Sequence, residues 1–205
     1  MPRTTRRAAA ATLAALTLLA GCSREVPKVD SQPARPAVAL PPDLCALIGP
    51  EALRSLVPDP QTTALADRVR LPDQVYSSSS CEVHTGAVDP AQGTGRLSFT
   101  LARHSRYMNE TGEQHADRTF EKHCADLKTI TPTNATDLTV AELGQRTCGR
   151  VVRVPSEPQR VDVYLRVLSG TDVLIVNQSR DPGPTSAPEA GLTDLTRSVL
   201  AKLHA

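Results

Sequence analysis

The most reactive side chains in this 205-residue chain belong to its five cysteines: Cys22, Cys45, Cys81, Cys124 and Cys148. A thiol can pair with another thiol, bind a metal ion or act as a nucleophile once it has lost its proton. A zinc-type metal site is disfavoured, because the sequence contains no Cys-x-x-Cys and no His-x-x-x-His spacing. Four of the cysteines can pair among themselves, which leaves one over.

Cys22 follows a segment with the features of a secretory leader. Three arginines and no acidic residue lie among the first seven positions, and residues 8–20 contain only Ala, Leu and Thr. This apolar run is too short to span a bilayer as a helix, which needs about 20 residues. The sequence Leu-Ala-Gly-Cys at positions 19–22 resembles the bacterial lipobox, whose cysteine sulfur receives a diacylglyceryl group.

We therefore expect residues 1–21 to be a lipoprotein signal peptide. Cys22 would then be a lipid anchor that holds the protein on the extracytoplasmic face of the cell membrane. The alternative is an ordinary secretory signal followed by a free thiol. Residues 22–42 contain five prolines and no sustained periodicity, which is typical of an extended tether. Residues 43–205 fit a single domain.

The five histidines do not form a recognisable metal or catalytic site. His115 and His123 are separated by about 12 Å along a predicted helix, at 1.5 Å per residue, which is too far for one metal ion. We expect both of them, together with His84, His104 and His204, to be surface or sheet-edge residues.

The sequence also lacks the motifs of common enzymes. It contains no Gly-x-Ser-x-Gly turn, and the serine run at 77–80 is more typical of a flexible approach to a strand than of a nucleophile. Gly93-Thr94-Gly95 lacks the strand–loop–helix context of a phosphate-binding loop. We predict that the protein is not an enzyme and that it uses no cofactor and no metal.

Hydrophobic spacing predicts both helices and strands in the domain. Helices are predicted over 43–57 with a restart at Gly49-Pro50, over 112–127, and from about Pro188 onward. Strands are predicted for the segments CEVHT, RLSFTLARHS, RTCGRVVRV, RVDVYLRVL and TDVLIVNQS, which begin at positions 81, 96, 146, 160 and 171. Leu97, Phe99 and Leu101 alternate with polar residues, which indicates a half-buried strand.

In an exported protein, four cysteines suggest two disulfides, with three possible connectivities. Cys45 lies in a predicted helix that precedes the strand with Cys81. Cys124 lies in a predicted helix that precedes the strand with Cys148. Because this order occurs twice, we predict the pairs Cys45–Cys81 and Cys124–Cys148.

Charge and aromatic content argue against several kinds of partner. The chain has 23 basic and 22 acidic residues, and removal of the leader would leave a net charge of about −2. Nucleic acid binding, which needs a basic face, is therefore not expected. With no Trp, three Tyr and two Phe, the chain is also poor in the stacking platforms that sugars and single strands require.

The domain opens with the sequence DLCALIGPEAL, in which Asp43, Cys45 and Leu47 are followed later by Cys81 and Leu143-Gly144. This pattern resembles an actinobacterial lipoprotein family of unknown function whose members begin with Asp-Pro-Cys. The resemblance implies an α+β fold, an antiparallel sheet of about five strands with flanking helices. It implies in particular a PsbP-like α/β sandwich, the architecture of the photosystem-II P-protein superfamily, whose members are mostly non-catalytic accessory and binding proteins.

We therefore expect a membrane-anchored extracytoplasmic lipoprotein that acts as a non-catalytic binding or accessory module for another envelope protein. Exposed strands or the concave face of the sheet would form the contact surface. The alternative is a carrier of a lipid or another apolar small molecule, which requires an internal cavity lined by Leu, Val and Phe99. A densely packed interior would count against the carrier.

Overall fold

A computed structural model describes residues 39–71, 74–86, 93–107, 109–130, 134–155, 159–181 and 188–204. The predicted signal peptide, Cys22 and the tether as far as residue 38 lie outside the described residues. Within the described part of the chain, no helix is long and apolar enough to cross a membrane.

The described residues form four helices and seven strands. In chain order these are α1 (Leu44–Ile48), α2 (Pro50–Leu56), β1 (Pro60–Leu71), β2 (Gln74–Thr85), β3 (Thr94–His104), α3 (Gly112–Thr129), β4 (Ala135–Leu138), β5 (Arg146–Val154), β6 (Arg160–Ser169), β7 (Asp172–Asp181) and α4 (Pro188–Leu203). All strands belong to one antiparallel sheet in the order β1-β2-β3-β7-β6-β5-β4. The predicted α+β class with flanking helices is confirmed, with seven strands instead of five.

The two strands that the sequence did not predict, β1 and β4, lie at the two edges of the sheet. Side chains 61–67 of β1 are all exposed, so this stretch shows no alternation of buried and exposed positions. Such a strand is stabilised by main-chain hydrogen bonds to one neighbouring strand. Its sequence therefore need not alternate between apolar and polar residues, and periodicity does not predict it. The prediction for the serine run was also wrong, because residues 77–80 lie inside β2.

A break at Gly49 separates α1 from α2, as predicted. Asp43 caps α1, since its Oδ1 accepts a hydrogen bond of 2.9 Å from the backbone amide of Ala46. Gly49 has a φ of 93°, which other residues rarely adopt. Pro50 then occupies the first turn of α2, where its missing N–H has no helical partner to lose.

One face of the sheet is covered by α1, α2 and α4. The side chains between these layers form the larger apolar core, and Phe99, Leu165 and Leu174 are all fully buried there. From α4, Leu192 and Val199 also reach zero exposure. The apolar side of α4 therefore faces the sheet, and burial of these side chains stabilises this layer.

A single helix, α3, packs on the opposite face. Its first turn is fixed by a capping box, in which the side chains of Thr111 and Gln114 each accept a hydrogen bond from the backbone amide of the other residue. Farther along the helix, Phe120 packs with Leu168 and Val173 in a second, smaller apolar cluster. The buried apolar residues Ala116, Phe120 and Leu127 recur at helical spacing and form one stripe along α3.

Each disulfide connects one helix to one strand. Cys45–Cys81 connects α1 to β2, and Cys124–Cys148 connects α3 to β5. These are the two pairs that the repeated helix–strand order predicted. The helical layers on the two faces are thus each bonded covalently to the sheet.

Beyond the apolar cluster under α3, the same face of the sheet is polar. We call this region the open face and define it by side chains that are half-buried or exposed: Ser80, Glu82, Ser98, Thr100, Tyr164, Asn177 and Ser179. Ser98 pairs across the ladder with both Glu82 and Asn177. Asn177 in turn pairs with Tyr164. These residues therefore form a continuous row across β2, β3, β7 and β6.

Candidate functional site

The long strand β1 forms one edge of the sheet. It pairs with β2 from Pro60 opposite Thr85 to Leu71 opposite Gln74, and within the described residues no strand pairs with its other side. Leu65 is 58% exposed, the one large apolar side chain of the described region that is strongly exposed. The edge therefore offers main-chain donors and acceptors together with accessible side chains.

Proteins usually protect such edges with short strands, prolines or charges. The opposite edge follows this rule, since β4 has only four residues. In contrast, β1 has 12 residues, with a proline only at its first position and its three charged residues, Asp67, Arg68 and Arg70, confined to its second half. The geometry of β1 is therefore suited to pairing with another extended segment.

A pocket of about 430 Å³ opens at the start of β1. Pro60 and Thr62 of the strand line it, together with the charged residues Asp43, Arg54 and Asp59. A peptide paired with β1 would thus have a pocket of mixed charge beside its main-chain partners. Pockets for alternate side chains are what give strand-pairing sites their specificity.

The prediction that all histidines are surface or edge residues was wrong for His104 and His115, which are only 4% and 2% exposed. His104 ends β3, and α3 begins so close to it that a Cβ on Gly112 would lie 2.5 Å from the carbonyl oxygen of His104. This close approach, which requires glycine, lets α3 cover the end of the strand.

Burial leaves these imidazoles with few hydrogen-bond partners. Nε2 of His115 lies 2.7 Å from Oε2 of Glu110, whereas Nδ1 of His115 and both ring nitrogens of His104 have no partner among the described residues. Loss of solvent and, to a smaller extent, the nearby His115 lower the pKa of His104 from 6.5 to about 4. His104 is therefore neutral at pH 7.

The other three histidines are more exposed than this pair. His84 and His204 are exposed, as predicted, and His123 is half-buried on α3. Burial, followed by the charge of Arg166, lowers the pKa of His123. In the described ranges, no group of three or more His, Cys, Asp or Glu side chains is placed to hold a metal ion.

A second pocket, of about 200 Å³, lies beside the Cys124–Cys148 disulfide between α3 and the β4–β5 edge. Neither this pocket nor the one at β1 is lined by Phe99, which is fully buried in the larger core. Neither pocket is therefore the cavity that a carrier of apolar molecules would require.

Neither the β1 edge nor the burial of His104 and His115 was predicted from the sequence. His104 continues the polar side of the β3 alternation after Ser98 and Thr100, and this is the side that α3 covers at the end of the strand. His115 directly precedes Ala116 on the buried stripe of α3. The sequence therefore places both residues next to positions that another element covers, although neither residue belongs to a recognisable motif.

No family model, no curated protein and no solved structure matches this chain.

Proposed function

We propose that this protein is a membrane-anchored extracytoplasmic lipoprotein that acts as a non-catalytic binding module in the cell envelope. Cys22 would carry the lipid, and residues 22–42 would connect it to the domain at 43–205. The domain would bind an extended segment of another envelope protein along β1. As part of the same proposal, the chain belongs to the actinobacterial lipoprotein family that its opening resembles, and its sheet has the PsbP-like arrangement.

The observation that carries the proposal is the 12-residue length of the edge strand β1, combined with the exposure of its side chains. A segment that adds to a sheet edge gains main-chain hydrogen bonds along its whole length. Each bond contributes only about 0.5–1.5 kcal/mol net, so several consecutive residues are needed for useful affinity. β1 has that length, and β4 does not.

Two features of β1 would decide which segment binds. Leu65 offers an apolar contact at the middle of the exposed stretch. The pocket at Pro60 and Thr62 would receive one side chain of the partner, and its charged lining favours a polar or charged group over an aliphatic one. The partner would thus be an extended segment with one apolar residue that contacts Leu65 and one polar or charged residue that enters the pocket.

Site-specific photo-crosslinking of the full chain in its own membranes tests this proposal. A crosslinker placed at Thr63, an exposed position of β1, should give a discrete protein adduct, and Leu65→Lys should abolish that adduct because a charge at the edge opposes strand pairing. The control places the crosslinker and the lysine at Ala201, an exposed position on α4.

Equal adducts from positions 63 and 201 would contradict strand addition at β1. An adduct at 63 that survives Leu65→Lys would do so as well.

A further inference from the structure

Arg166, on β6, is a buried cation to which no described residue supplies a carboxylate. Its exposed fraction is 8%, yet it takes part in none of the ion pairs of the described region. In contrast, Arg103 forms a 2.6 Å ion pair with the buried carboxylate of Asp172. Asp126 contributes only a longer-range interaction with Arg166, and its carboxylate is bound 2.7 Å from the ammonium group of Lys122.

The hydrogen bonds of Arg166 involve only one of its three nitrogens. Nη1 donates to the carbonyl oxygens of Leu165 and Val176 at 2.9 and 3.1 Å and to Oδ1 of Asn177 at 2.9 Å. Nε is buried and has no partner in the described region. Nη2 donates to no described group either. The edge formed by Nε and Nη2, with which arginine binds carboxylates and phosphates through two bonds, is therefore unused.

Arg166 nevertheless keeps its charge. Burial lowers its pKa to about 10, which is still far above neutral pH. A buried charge without a counterion is unfavourable, and an anion that binds beside it compensates this cost.

The open face supplies two neutral donors beside this guanidinium, although it also contains the carboxylate of Glu82. Because Oδ1 of Asn177 accepts from Arg166, the amide nitrogen of Asn177 is left to donate elsewhere. Tyr164 lies two positions before Arg166 on the same side of β6 and directly opposite Asn177. Both side chains are half-buried and thus reachable from solvent.

We propose that Arg166, Asn177 and Tyr164 form a binding site for an oxyanion, the phosphate or carboxylate group of a small solute. The anion accepts hydrogen bonds from the unused edge of Arg166, from Nδ2 of Asn177 and from the hydroxyl of Tyr164. The site lies on the open face, away from the β1 edge, so it does not depend on the proposed strand addition.

Titration of the full chain in a non-ionic detergent tests this site, with inorganic phosphate and acetate as separate probes at constant ionic strength. We expect a saturable shift of the Arg166 Nε–H resonance and a saturable rise in Tm with at least one anion. A response to phosphate alone or to acetate alone identifies which group the site accepts. A response to both shows that the site accepts either oxyanion. The absence of a saturable response to either anion would overturn the proposal.

Asn177→Asp provides the decisive variant, because it places a carboxylate where Oδ1 already accepts from Arg166. It should raise the Tm without added anion and weaken the apparent affinity at least tenfold. Asn134→Asp, which adds the same charge at an exposed position, should respond like the wild type. Tyr164→Phe should weaken binding at least threefold and serves as the test if Asn177→Asp does not fold. A wild-type response in the folded variants would refute the assignment.

Discussion

Acidification should destabilise the folded domain by protonating a side chain that folding has buried. His104 titrates at 6.5 when it is solvated and at about 4 in the folded protein. Folding therefore favours the neutral imidazole. The stability that it contributes is complete above pH 6.5 and is lost as the pH falls from there through 4.

The expected loss follows from the difference between these two pKa values. At 1.36 kcal/mol for each pKa unit, full protonation of His104 costs about 3 kcal/mol, of which roughly 2 kcal/mol is already lost at pH 5. Burial is the main cause of the low pKa, followed by the nearby His115, while the carboxylate of Asp172 acts in the opposite direction. His123 and Arg118 add smaller lowering effects.

Urea unfolding followed by circular dichroism at pH 7.5, 6, 5 and 4 measures this loss. His104→Phe keeps an aromatic ring beside Tyr76, whose ring centre lies 5.4 Å from that of His104, and removes the titrating group. Between pH 7.5 and 5, the wild type should lose about 2 kcal/mol more than this variant. His84→Phe, at an exposed position, should keep the wild-type slope. Parallel pH profiles for the wild type and His104→Phe would refute the reasoning.

Two further predictions concern the cysteines. Replacing both Cys124 and Cys148 with alanine opens a loop with a sequence separation of 24 and should lower the free energy of unfolding by about 3.5 kcal/mol. An unchanged urea midpoint under non-reducing conditions would contradict this value. Cys22→Ala should move the protein from the membrane fraction to the soluble fraction of lysed cells, because it removes the proposed lipid. Continued sedimentation with the membranes would disprove the anchor.

The parts of the fold that could be predicted from the sequence are those whose residues face a single environment. β3 alternates because one side faces the larger core, so Leu97 and Phe99 recur at a period of two. The stripe of α3 recurs near a period of 3.6 for the same reason. The disulfide pairs were predictable because the order of a helix with a cysteine and a strand with a cysteine occurs twice.

The rest depended on contacts between segments that are distant in sequence. β1 is an edge strand with exposed side chains, so no core contact imposes a period on it. His104 is buried because α3, which follows β3 in the chain, packs over the end of that strand. In β6, Arg166 stands between apolar residues that face the other side of the sheet, and only the position of α3 and the neighbouring strands makes it buried. A lone charged residue in an alternating strand is normally read as exposed.

If the proposed lipid anchor holds the domain by its N-terminal end, the Cys45–Cys81 bond has a mechanical consequence. Tension that enters through residue 43 reaches Cys45 after two residues and passes through the disulfide into β2, within the sheet. The chain between residues 45 and 81 is bypassed by this load path, because its two ends cannot be pulled apart while the bond is intact. The part of α1 after Cys45, together with α2 and β1, would therefore carry no main-chain tension. The edge strand would keep its shape when the domain is stretched away from the proposed anchor.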